Sequence, residues 1–142
     1  MKKLLKYFLL FAFVSCQNKP FEISFDTYND YKTETNLRLT GWFPNIINAD
    51  SYNLKSASHL GSCNFVKFNY SNNKSYDSLF LNSTKVPLFS FQQKIKKYDE
   101  LKPNWFPNYN EINNTDFEII KTDRYNIARK KSTHEIFCFC EN

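Results

Sequence analysis

The chain has 142 residues, 42% apolar and 18% aromatic, with 19 basic against 14 acidic side chains and a net charge of +5. That length suits one domain with its own core, and the asparagines are dispersed between aromatics, which argues against a low-complexity protein. Three of the 19 basic residues (Lys2, Lys3, Lys6) lie in a leader; the 16 that remain against 14 acids leave +2, too little for a nucleic-acid footprint.

Residues Met1 to Lys6 carry three positive charges, Tyr7 to Val14 are apolar, and Ser15 and Cys16 follow. A charged start, a short apolar stretch and a small residue before a polar break predict a secretory signal peptide. The apolar run is eight residues, far below the roughly 20 that span a bilayer as a helix. Cleavage after Ser15 by the ordinary signal peptidase would want a small residue at Phe13, where a bulky ring stands.

Beyond the leader, residues 16–24 are expected to form a tether and residues 25–142 one domain. Tyr28 and Tyr31, behind Asp26 or Thr27 as a cap, predict a short helix. "LTGWFPNII" is an irregular aromatic turn, broken by Gly41 and Pro44. "SYNLKSAS" and "CNFVKFNY" read as strands of a hairpin turning at "HLGS". In the second, Val66, Phe68 and Tyr70 share one side and Phe65, Lys67 and Asn69 the other. "NNKSYDSLFLNS" sets Tyr76, Leu79 and Phe80 on one helical face. "SFQQKIKKYDELKP" predicts a helix with Ser90 and Gln93 as capping box, Phe91, Ile95 and Tyr98 as apolar stripe and Pro103 as terminator. Its Lys94, Lys96 and Lys97 make a solvated face. "DFEIIKT", "RYNIARK" and "HEIFCFC" are strands, the last two a hairpin through Lys130 to Thr133. The order predicts an α+β domain, an antiparallel sheet of about four to five strands with two or three helices on one face. With Gly41 and Gly61 the sole glycines, asparagine is expected at many left-handed turn positions.

Phe13-Val14-Ser15-Cys16 resembles the lipobox of bacterial lipoproteins: Cys16 matches the invariant cysteine, Ser15 the small residue before it and Val14 the position between, while Phe13 stands where leucine is usual. The resemblance implies cleavage before Cys16, a thioether-linked diacylglycerol on Cys16 and a further N-acyl chain such as palmitate. Two or three acyl chains anchor stably, each buried methylene contributing about 0.8 kcal/mol. Gln17 stands where an aspartate would signal inner-membrane retention, so the expected location is the outer membrane, facing the periplasm or the cell surface. Residues Gly41, Trp42, Pro44, Ser51, Asn53, Leu54, Phe68 and Tyr70 are similar to a pattern in small uncharacterised bacterial exported proteins. That likeness implies an exported fold and no activity.

With Cys16 acylated, Cys63, Cys138 and Cys140 remain, and in an oxidising compartment a bridge from Cys63 to Cys138 or Cys140 is expected. Cys138 and Cys140, two apart on a strand, sit at about 6.7 Å, the limit for pairing with each other. His59, Cys63, His134, Cys138 and Cys140 are metal-ligand types, but no Cys-x₂₋₄-Cys knuckle is present; no metal and no cofactor are expected. Asp77-Ser78-Leu79 looks like an O-glycosylation sequon of some exported bacterial proteins. "WFPN" occurs at Trp42–Asn45 and Trp105–Asn108, without the flanking similarity of a repeat, and both Trp-Phe pairs are expected to fill core beside a proline-stiffened turn. No catalytic motif is found, and Asp99 and Glu100, adjacent on a helix, do not face each other. The expectation is a non-enzymatic envelope lipoprotein, a binding or structural module whose partners are the membrane, through its lipid, and an envelope protein or glycan. The alternative is a periplasmic inhibitor or immunity lipoprotein that blocks a toxin or hydrolase.

Overall fold

The computed structural model describes residues 20–34, 41–81, 83–122 and 124–141. The elements run β1 (Phe21–Thr27), α1 (Tyr28–Glu34), β2 (Ser51–His59), β3 (Cys63–Tyr70), α2 (Asn73–Leu81), β4 (Thr84–Lys85), α3 (Leu88–Lys97), a 3₁₀ turn (Asp99–Leu101), β5 (Phe117–Thr122), β6 (Tyr125–Lys130) and β7 (Glu135–Glu141). All seven strands join one antiparallel sheet in the order β1-β2-β3-β7-β6-β5-β4. Two meanders, β1 to β3 and β4 to β7, meet where β3 pairs with β7 at the centre.

The expected α+β class and antiparallel sheet hold, but the sheet has more strands than the four to five expected. Residues 21–24, expected in the tether, form most of β1, which pairs with β2 from Phe21 opposite Ser58. The helices also do not share one face. Phe25, Leu54, Val66, Phe68, Ile127 and Ile136 form a core on one side of the sheet, together with Tyr76 and Phe80 of α2, Phe43 and the half-buried Tyr31 of α1. Phe65, Ala128, Phe137 and Phe139 form the other core, with Phe91 and Ile95 of α3 and Phe106 and Ile112 of the following loop. β3 and β7 are therefore buried on both sides at nearly every position, as central strands covered by two layers must be.

Local chemistry explains the element ends. Thr27 caps α1: its Oγ1 accepts from the Asp30 amide at 3.2 Å while the Asp30 carboxylate accepts from the Thr27 amide at 3.0 Å, a reciprocal capping box. The box expected at Ser90 and Gln93 is not made, because α3 starts at Leu88, with an extended Pro87 as its cap residue and no side-chain cap bond. Its C-terminus comes at Tyr98, before the 3₁₀ turn and Pro103. Among the described residues, Asn53 (φ 51°) is the one non-glycine at positive φ. It sits in a β-bulge, where Asn53 and Leu54 occupy the space opposite Phe68. Asparagine serves the turns by its side chain instead: Asn48, Asn72 and Asn113 Oδ1 atoms accept from amides two or three residues on.

Candidate functional site

The concave feature best built for binding lies between the aromatic turn 41–47 and the β5–β6 turn. Gly41 opens it with φ 94°, a left-handed conformation that favours glycine, and the Ile47 amide closes it on the Pro44 carbonyl at 3.2 Å. Its first two carbonyls are fastened from beneath. The Trp42 carbonyl accepts from Asn64 Nδ2 at 2.7 Å and lies 3.1 Å from Ser56 Oγ. The second Asn64 Nδ2 proton goes to the Tyr125 hydroxyl at 3.0 Å, which in turn donates to the Gly41 carbonyl at 3.1 Å. Arg124 Nη2 donates to that same carbonyl. Further along, the Tyr70 hydroxyl donates to the Ile46 carbonyl at 2.6 Å. Ser56 and Asn64 are buried polar residues on strands, and no described buried side-chain N or O atom lacks a partner, as burial requires.

The resulting cleft has a volume of about 440 Å³ and is lined by Phe43, Pro44, Ile46, Thr122, Arg124 and Tyr125, with Gly41 and Asn45 at its rim. The Arg124 guanidinium stands 5.3 Å over the Tyr125 ring. Burial, and then the neighbouring Cys140, push the Tyr125 phenol far above its ordinary value, so it is a fixed hydrogen-bonding group at neutral pH and not a base. Among the described lining residues the charge is the single cation of Arg124, set between apolar walls. Among the described residues it presents this cation beside aromatic rings and no paired acid and base.

Of the residues singled out in the sequence, Phe13, Val14, Ser15 and Cys16 lie outside the described residues. The expected bridge from Cys63 to Cys138 or Cys140 is not formed: all three are free, buried thiols. The register gives the reason. Cys63 pairs with Glu141 and packs with Phe65 and Phe139 on one side, whereas Cys140 pairs with Asn64 and Cys138 with Val66 on the other. Burial pushes the Cys63 thiol up to about 11 and raises Cys138 and Cys140 as well, the opposite of a reactive cysteine. His59 and His134 are not brought together: His59 donates from Nε2 to the Leu101 carbonyl at 2.9 Å by the β2–β3 turn, and the His134 ring lies tilted against that of Tyr76, centroids 4.9 Å apart, at the far end of β3. No cluster of three metal-ligand residues occurs among the described residues. In both "WFPN" copies the phenylalanine is buried and the tryptophan half-buried, one copy on each side of the sheet. Ser56, Asn64, Arg124 and Tyr125 belong to no motif in the sequence. The signal the sequence does hold is a polar residue, Asn64, at an inward position between Cys63 and Phe65.

No family model, curated protein or solved structure matches the chain.

Proposed function

We propose that the protein is a lipid-anchored module of the bacterial cell envelope that binds another envelope component without catalysing a reaction. The observation that carries this reading is the leader: Lys2, Lys3 and Lys6, then eight apolar residues, then Ser15 and Cys16, the charged, apolar and small segments of an export signal ending at a cysteine suited to acylation. The fold is consistent with it, since β1 begins at Phe21, five residues from Cys16, leaving a short link between anchor and domain. The cleft beside Arg124 supports binding over chemistry. Its cation and its Phe43 and Tyr125 walls suit an envelope component that bears a carboxylate or phosphate.

The intact mass of protein extracted from membranes tests the anchor: acyl groups are expected on the wild type, and Cys16→Ala is expected to leave the membrane fraction. Capture from envelope extract tests the binding: Arg124→Ala is expected to retain the fold, through the Tyr125 bond to Gly41, and to lose the captured component. A wild type that carries no acyl group sinks the anchor, and equal capture by both proteins removes the cleft. Recovery of a toxin or hydrolase would identify the partner as one that the module inhibits.

A further inference from the structure

We infer that the end of the sheet carrying Phe21 and Leu60 is the membrane-facing pole of the domain, with the β2–β3 turn touching the lipid surface. This rests on the lipid anchor proposed above. The first strand enters the sheet with Phe21 opposite Ser58, so the chain that leads back to Cys16 leaves the fold beside the β2–β3 turn. Five residues span at most about 18 Å. An anchor at Cys16 therefore holds this end close to the bilayer, whereas the other end of the eight-residue β3 lies about 26 Å further along the strand direction.

Two large apolar side chains stand exposed at this end. Leu60 is 90% exposed at the tip of the turn, and Phe21 is 58% exposed with its ring edge on Trp42 at 4.6 Å. Gly61, at φ 72° with nothing within 4 Å of a would-be Cβ, makes the turn sharp and leaves Leu60 projecting. The turn is held firmly from behind: the Ser62 amide bonds the His59 carbonyl at 3.0 Å, and His59 is pinned to Leu101. The charges nearby are mixed. Lys97 of α3 is paired with Glu141 of β7 at 2.9 Å, and Asp99 and Glu100 follow. Headgroup attraction is thus not the basis of contact; shallow burial of Leu60 and Phe21 at the headgroup boundary is. The exposed Leu81 and Phe89 flank β4 at the other edge of the sheet and provide the comparison.

The test places an environment-sensitive fluorophore at Leu60→Cys, Phe89→Cys or Ser132→Cys in the acylated full chain, bound to vesicles of phosphatidylethanolamine and phosphatidylglycerol containing spin-labelled lipid. All three sites are exposed, so the fold tolerates them, and the buried thiols do not compete for label. The expected result is quenching at position 60 at least about two-fold stronger than at 89 or 132 and insensitive to added salt. Equal quenching at the three sites, or stronger quenching at 89 or 132, on protein whose mass shows the acyl groups, overturns the pole and leaves the anchor standing. Protein without acyl groups that does not bind the vesicles overturns both.

Discussion

Arg129 of β6 faces Glu118 of β5 across the ladder, and its guanidinium also lies 4.1 Å over the ring of Phe80 in α2. Nε and Nη2 both reach Glu118 Oε2, at 3.0 and 2.7 Å, while Nη1 donates to the Tyr76 carbonyl at 3.3 Å. One side chain, 17% exposed, therefore ties the sheet to the helix that crosses from the first meander to the second. Replacing it by alanine removes the contact with the Phe80 ring and leaves a half-buried carboxylate with the exposed Lys85 as its remaining ion-pair partner among the described residues. Arg129→Ala is expected to lose about 1–3 kcal/mol, between the values for exposed and buried pairs, read as a lower denaturation midpoint. A loss no larger than that of Lys85→Ala, whose ammonium is an exposed partner of the same carboxylate at 3.3 Å, would contradict this role.

The same pair sets a pH dependence. Burial pushes the Glu118 carboxyl up, but hydrogen bonds and charge from Arg129 and Lys85 outweigh it and hold the group below its ordinary value. A carboxyl depressed in the folded state contributes stability above its unfolded value, and that contribution fades as pH falls through the folded one. Melting temperature from neutral pH to about pH 3 should thus fall less steeply for Glu118→Gln than for the wild type. Parallel curves would show that the pair contributes nothing to acid sensitivity. Glu135 and Glu141, likewise depressed by Lys67 and Lys97, leave residual acid sensitivity in the variant.

The thiols report on both the fold and the anchor. Native protein should react slowly with a thiol reagent, because Cys63, Cys138 and Cys140 are buried and protonated. Unfolded, it should titrate three thiols if Cys16 is thioether-linked and four if it is free. Reaction of fewer than three without prior reduction would mean a bridge, against the three free thiols of the structure. The sign at alkaline pH is also fixed. The folded Cys63 keeps its proton where the unfolded thiol has lost it, so stability should decline as pH rises from about 9 through about 11.

Much of this arrangement was legible because local and long-range signals agree. Thr27 and Asp30 spell a capping box, and Tyr76 and Phe80 mark the buried stripe of α2. Val66, Phe68 and Tyr70 alternate inward as read. The first strand was equally legible in Phe21, Ile23 and Phe25, but its place beside the leader suggested a tether. A strand of two residues, β4, has no period to read. The two-sided sheet was written in "IFCFC", five consecutive apolar positions that fit a strand covered on both faces better than a one-sided one. Cysteine pairing depends on register, since a shift of one residue would move Cys63 to the other face; the sequence does not state that. The cleft was hidden for a related reason: Arg124 and Gly41 are 83 positions apart and meet only through the order of the strands.

Asn64 is the keystone of the buried polar cluster beneath the turn. Its amide supplies both donors that the Trp42 carbonyl and the Tyr125 hydroxyl accept. Asn64→Ala is expected to cost about 1–3 kcal/mol, with Ser56 Oγ still able to reach the Trp42 carbonyl. Asn64→Asp should cost more, since it sets a carboxylate oxygen against that carbonyl in a buried site. Urea denaturation of the two variants checks the order, and a milder effect for aspartate would mean that water enters the cluster.

The repeated "WFPN" offers a test of the two-core architecture. Phe43 and Phe106 are both buried, but Phe43 packs with Phe25 and Tyr31 on one side of the sheet while Phe106 packs with Phe65 and Phe137 on the other. Either phenylalanine to alanine should cost about 3–5 kcal/mol, because the ring leaves a cavity that a sheet cannot close. The flanking Trp42 and Trp105, half-buried, should cost roughly half as much. The milder pair Phe43→Leu and Phe106→Leu, about 1 kcal/mol each, keeps the double variant folded. With a layer of backbone between them and no shared neighbours, their effects should add to within about 0.5 kcal/mol. A coupling well above that would mean that the two cores are one, deforming together through the β3–β7 seam.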